Sequence, residues 1–292
     1  MKVPPDALRV AVEQAGAVER EAKGSGELWR YELDGATVTV WRTGTARVQG
    51  KGEGRHVLEK LVAEVAEPER PAFPVDLPRD RPWAGVDESG KGDYFGPLVS
   101  AVAQVDPSAA DELRALGVAD SKRLSDGRVR SLAPQIRELT EWRTTVVAPP
   151  RYNDLYADLR RQGRRLNDLL AWAHARSIED LLAAGATPAY AIVDQFAEAS
   201  VVERRLMAGT RAYALRVVQF PRAEADVAVA AASILARDEF LRRLGDLPKG
   251  GGSPEVVAAG RAIVERGGEP ALAQVAKLHF ATTSRVLGRP TG

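Results

Sequence analysis

The stretch WAGVDESGKGDYFGPLVSAVAQV, residues 83–105, decides the fold. It reads as two apolar strands, WAGVDESG and PLVSAVAQV, joined by a glycine-rich turn. Its middle, GVDESGKG (85–92), nearly spells a phosphate-binding P-loop: Gly85, four residues, Gly90 and Lys91 all fit. Gly92, however, stands where that loop needs Ser or Thr, and DYFGPLV cannot form the helix that must follow. Asp87 and Glu88 would also set two negative charges against a polyphosphate. A strand ending in two adjacent carboxylates is the better reading. Strand neighbours point to opposite faces. Both can still reach one site where the strand ends or bulges, as Ser89-Gly90 suggests.

Downstream of this pair the pattern alternates. RTTVVAP reads as a strand, Asn153 to Ala184 as one helical stretch, and AYAIVDQF as a strand. A helix near 198–208, the strand YALRVVQF, the small-residue helix VAVAAASILARDEFLRRL and further helix complete the chain. This is an α/β domain with a mixed β-sheet and flanking helices. Upstream, EPERPAFPVDLPRDRP (67–82) is too proline-rich for a regular helix or central strand and reads as a linker. Ahead of it lies a small α+β domain. Leu8, Val12, Ala15 and Val18 predict a helix over residues 5–22, Asp34-Gly35 marks a hairpin, ATVTVWR a strand, and HVLEKLVAEVAE a second helix. The predicted division is 1–68, a linker over 69–82, and a larger domain over 83–292.

The 292 residues have a net charge of +1, which names no partner. There is no cysteine, so disulfides, thiolate metal sites and cysteine nucleophiles are excluded. His56, His174 and His279 are too scattered to suggest a histidine metal site. No apolar run is long enough for a membrane helix, and the N-terminus lacks the pattern of a signal peptide, so a cytoplasmic location is expected.

Three places carry acids that could act together. Asp87-Glu88 is the first. Asp194 ends the apolar run AYAIVD, where a carboxylate is costly unless paired or metal-bound, although it would also suit a helix N-cap. Glu224 and Asp226 precede the Ala-rich helix, where acids are favourable for dipole reasons alone. The small side chains of AVAAAS let that helix lie close to a sheet, fixing an acid at its start. Carboxylates without histidine or cysteine favour Mg2+ or Mn2+. Two such ions about 4 Å apart can drive in-line hydrolysis of a phosphodiester.

The stretch DESGKGDYFGP (87–97) resembles the first signature of ribonuclease HIII, a bacterial relative of ribonuclease HII. DSKRLS (120–125), IVDQF (192–196), RAEADVAVAAASILAR (222–237), LPKG (247–250) and KLHFATT (277–283) match the same family in order. DGATVTVWRTGTARVQGKG resembles the TATA-binding-protein-like, substrate-binding domain that precedes the ribonuclease H-like catalytic domain in ribonuclease HIII. The resemblance implies an endoribonuclease that cuts the RNA strand of RNA/DNA hybrids with two divalent ions, leaving 3′-hydroxyl and 5′-phosphate ends; nothing in the sequence demands more than a monomer. It implies Asp87, Glu88, Asp194 and Glu224 as the catalytic, metal-binding carboxylates, with Asp226 the alternative to Glu224. Gly90, Lys91 and Gly92 would meet the ribose 2′-hydroxyl beside the cut, the group that distinguishes RNA from DNA. Ser121, Lys122 and Lys249 would hold phosphates. Trp41, Arg42, Arg47, Lys51 and Arg55 offer a surface for a duplex backbone. A ribonuclease HII-like cutter of single embedded ribonucleotides and a non-catalytic nucleic-acid binder are the alternatives.

Overall fold

The computed structural model describes residues 3–22, 24, 26–65, 77–118, 121, 124–194, 215–220 and 223–289. The chain forms two compact units, Met1–Arg70 and Pro71–Gly292. The expected helix near 198–208 and Lys122 lie outside the described residues.

The first unit runs α1 (Pro5–Gln14), β1 (Val18–Arg20), β2 (Glu27–Leu33), β3 (Ala36–Trp41), β4 (Ala46–Gly50) and α2 (Glu53–Val65). The strands pair antiparallel in sequence order. Asp34 and Gly35 both take positive φ, 43° and 75°, which is the two-residue hairpin their sequence announced. Leu8 and Val12 of α1 share one core with Leu58 and Val62 of α2 and with Trp29, Tyr31, Val38 and Val40 of the sheet. The helix expected over residues 5–22 stops early. Gly16 turns the chain at φ 83°, and residues 18–20 pair with β2 instead. Val18 continues the helical spacing in number only, and it is exposed.

The second unit runs β5 (Trp83–Ser89), β6 (Leu98–Val105), α3 (Pro107–Ala115), α4 (Asp126–Leu139), β7 (Glu141–Val147), α5 (Pro149–Arg161), α6 (Leu166–Ala183), β8 (Tyr190–Asp194) and β9 (Arg216–Phe220). A 3-10 turn (Ala223–Ala225), α7 (Val227–Leu244), α8 (Pro254–Val275) and α9 (Thr282–Leu287) follow. The sheet order is β7-β6-β5-β8-β9. β5, β6 and β7 pair antiparallel, whereas β5, β8 and β9 run parallel, so the sheet is mixed. No described helix is long and apolar enough to cross a membrane.

Three differences from the sequence reading have identifiable causes. The single helix expected from Asn153 to Ala184 is two, because Gly163 takes φ 70° between α5 and α6. Helices α3 and α4 were not anticipated. Pro107 opens α3, and Ser125 caps α4 by accepting from the Arg128 N–H at 3.2 Å. The end of the proline-rich stretch packs on the second unit: Leu77 is in its core, and Tyr190 donates its hydroxyl to the Pro78 carbonyl at 3.0 Å.

Helices α7 and α6 cover opposite faces of the sheet and thereby frame the site. Alanines 228, 230, 231, 232 and 236 are buried, which lets α7 lie very close to β5. A Cβ built on Gly85 would stand 2.1 Å from the Ala228 carbonyl carbon, so no side chain fits there. On the other face Ala171, Ala175 and Ile178 of α6 pack on Ala84 and Val86 of β5 and on Val193 of β8.

Candidate active site

Parallel pairing aligns Val86 of β5 with Val193 of β8. One residue further along are Asp87, two residues before the end of β5, and Asp194, the last residue of β8. Asp87, Glu88 and Asp194 all line a cavity of about 470 Å³, together with Lys91, Ser121 and Arg237. The GVDESGKG stretch is strand through Ser89, and the next element after its turn is β6, so the strand–loop–helix order of a P-loop is absent.

The two adjacent acids do point to opposite faces. Asp87 is buried on the α7 side, where it hydrogen-bonds Ser233, and its Oδ1 accepts from the Glu88 backbone N–H at 2.8 Å. Burial, then the neighbouring Glu88 charge, pushes the Asp87 carboxyl up to about 7. Glu88 turns to the α6 side. Its Oε2 lies 3.0 Å from Nε2 of fully buried His174, and its Oε1 lies 3.6 Å from Lys91 Nζ. Both reach the cavity because the strand ends there.

Asp194 is half-buried and accepts from the Ala223 N–H at 3.2 Å, which ties the end of β8 to the turn carrying Glu224. Glu224 itself makes no hydrogen bond or ion pair among the described residues, and it does not line the cavity. Asp226 is fully engaged. It caps α7 by accepting from Ala228 N–H at 2.8 Å, takes the Trp83 indole N–H at 3.0 Å, and pairs with Arg79 at 2.6 Å. Among the described residues no three His, Asp or Glu side chains converge closely enough to hold an ion. The donor set nevertheless suits a hard cation. Three carboxylates open on one cavity, and one of them is buried with its charge opposed by its surroundings.

The loop after β5 is tightly specified. Gly90 has φ 86°, and a Cβ on it would lie 2.1 Å from the Pro97 carbonyl oxygen. Around Gly92 the corresponding space is open. Distant segments grip the rest of the loop. Tyr94 N–H donates to the Gly250 carbonyl at 3.0 Å, Gly250 N–H to Asp93 Oδ1 at 2.7 Å, and Gly96 N–H to Val275 at 2.9 Å. Fully buried Lys277 donates from Nζ to the Asp93 carbonyl at 2.8 Å, and burial pulls its ammonium down to about 7.

The other residues expected to bind substrate divide. Ser121 lines the cavity, with its hydroxyl 2.7 Å from that of Ser233. Lys249 is outside the cavity lining and pairs with Asp126, which also holds Arg237 at 2.6 Å. In the first unit only Arg47 of the expected basic residues lies within a strand; Arg55 is on α2, paired with Glu59 at 2.8 Å. His174, Ser233 and Arg237 were not singled out from the sequence. Ser233 and Arg237 sit four apart on α7, within a quoted motif, and that spacing was the available signal. His279 packs its ring 4.3 Å from Tyr156, and Phe280 meets Tyr94 edge-on, so this motif locks the C-terminal segment in place.

A mixed sheet whose central parallel strands end in carboxylates, beside a glycine-rich loop, defines a ribonuclease H-like domain. The family model described as Ribonuclease HII matches residues 84–283. Ribonuclease HIII of Protochlamydia amoebophila is 38% identical over 265 residues, covering 87% of this chain and 85% of its own. Ribonuclease HIII of Chlamydia muridarum is 40% identical over 260 residues, covering 86% and 83%. The crystal structure of Bst-RNase HIII in complex with Mn2+ superposes with a TM-score of 0.66 at 32% identity, covering 99% of this chain and 97% of that one. The chain belongs to the ribonuclease HII family, in its ribonuclease HIII branch.

Proposed function

We propose that this chain is an endoribonuclease that hydrolyses the RNA strand of RNA/DNA hybrids with divalent cations held by Asp87, Glu88, Asp194 and Glu224. The observation that carries the reading is the register Val86–Val193, which sets Asp87 and Asp194 side by side on the cavity that Glu88 also lines. Mg2+ or Mn2+, two ions in the working site, would supply an activated water and charge stabilisation at the scissile phosphate. Mn2+ in the related Bst-RNase HIII crystal supports this choice.

The chain's own residues prepare the site. Burial, then the Glu88 charge, opposes the ionised form of Asp87 more than its hydrogen bonds favour it, so a cation lowers the cost of keeping it ionised. Asp194 ties down the turn that carries Glu224 through the Ala223 N–H, which supports reading Glu224 as the fourth carboxylate. The open space at Gly92 lets a ribose approach the backbone of the loop, where N–H and C=O groups can recognise a 2′-hydroxyl. Lys91, Arg237 and Ser121 supply donors for phosphate oxygens around the cavity. The first unit adds a substrate-binding surface in the manner of its TATA-binding-protein-like resemblance.

A labelled duplex with four consecutive ribonucleotides, beside one with a single ribonucleotide, tests the reading in Mg2+, Mn2+ and chelator. Metal-dependent cuts in the four-ribonucleotide strand with 5′-phosphate ends are expected. Binding without cleavage in any metal would overturn it.

A further inference from the structure

The two acids near the end of β5 are supported from different sides of the sheet. Asp87 is met by the Glu88 backbone N–H and Ser233. Glu88 is met on the other face by an imidazole. His174 belongs to α6 and lies there among buried Leu170, Ala171, Ala173, Ala175, Ser177 and Ile178. A polar ring with no exposed surface is costly unless it is satisfied. Its Nε2 reaches Glu88 Oε2 at 3.0 Å, from a position with no exposed surface. Lys91, a further partner of Glu88, is longer, more exposed and more distant at 3.6 Å. A glutamate side chain has three rotatable bonds, and fixing one oxygen removes most of that freedom.

We propose that His174 is a positioning residue for Glu88: it holds the Glu88 carboxylate at the cavity and thereby sets the affinity of the site for a divalent cation. The inference rests on the reading of Glu88 as a metal-binding carboxylate. Groups behind a metal-binding side chain orient it, and their loss costs about 10–100-fold in metal affinity. Here the orienting group is anchored in a rigid helix packed on β5 and β8, so it aligns Glu88 before any ion arrives.

The test compares two amides of different reach in the full chain. In His174→Gln the amide nitrogen falls near the position of Nε2 and can still meet Glu88. In His174→Asn it falls near Nδ1 and cannot. Mn2+ affinity is measured by calorimetry without nucleic acid, and hybrid cleavage is followed against Mn2+ concentration. His174→Asn should bind Mn2+ about 10–100-fold more weakly, recover turnover as Mn2+ is raised, and keep the parent KM for hybrid. His174→Gln should stay near the parent in all three. Parent-like Mn2+ affinity in His174→Asn, or equal weakening in both variants, would overturn the proposal. Glu88→Gln separates the two readings. Parent-like Mn2+ binding in that variant would remove Glu88 from the metal site itself. Weak binding in it, unaffected by adding His174→Asn, shows that the histidine acts through Glu88.

Discussion

The indole N–H of Trp83 donates to Asp226 Oδ1 at 3.0 Å, joining the first residue of β5 to the N-cap of α7. With Arg79 on its other oxygen, Asp226 has no carboxylate oxygen to spare for an ion. Glu224, two residues earlier, has both. Asp226→Ala should therefore destabilise the protein by about 3 kcal/mol, through the lost cap and the stranded Arg79 and Trp83 donors. Glu224→Ala should leave stability within about 0.5 kcal/mol and abolish hybrid cleavage. Urea denaturation beside a cleavage assay separates the two, and the opposite pattern would exchange their roles.

Asp87 should trade stability for function. Its carboxyl is raised to about 7 by burial, then by Glu88, from an ordinary value of 3.8. Between those values the folded chain binds more protons than the unfolded one. Its contribution to stability is therefore complete below about pH 4 and is lost as pH rises towards 7. Asp87→Asn should abolish metal-dependent cleavage and, measured in chelator, flatten the fall in Tm across that range. A variant with the parent's pH dependence would contradict the burial of this charge.

The two glycines flanking Lys91 should respond differently. Gly90→Ala forces a methyl group against the Pro97 carbonyl and Phe240 at positive φ, so it should lower Tm and cleavage together. Gly92→Ala meets nothing in the protein. It should keep the parent Tm and raise KM for hybrid, because the methyl occupies the space offered to substrate. Equal thermal loss in both would show that the loop packs more tightly than it does here.

Lys277 supplies a second pH signature with the opposite sign. Burial lowers its ammonium to about 7 from 10.5, so between those values the unfolded chain holds the extra proton. Stability from this group rises with pH, by up to about 1.4 kcal/mol per unit. Lys277→Met should remove that rise between pH 7 and 10, as read by denaturation at each pH. Parent-like slopes would place the lysine in contact with water.

Much of this architecture was legible beforehand because it is local. Apolar runs ending in Asp87 and Asp194 announce strands whose ends carry acids, and VAVAAASILAR announces a helix that lies flat on a sheet. Where an expected helix stopped or broke early, a backbone angle was responsible. Periodicity cannot see the turn at Gly16 or the break at Gly163, since both depend on φ. The choice between Glu224 and Asp226 was undecidable for a different reason. Both precede one helix and suit its dipole, and the partner that occupies Asp226 lies far away in sequence at Trp83. His174 was passed over because only the packing of α6 against β5 reveals which helix residue faces Glu88.

The grips on the loop at 90–97 come late in the chain, from Gly250, Val275 and Lys277. A ribosome releases Asp87, Glu88, Asp194 and Glu224 well before it releases Lys277. A nascent chain thus carries the acids of the site while its loop is still unheld. Closing this loop therefore waits on contacts of high sequence separation, whose loop-closure cost is met only once the segment around Lys277 has been made.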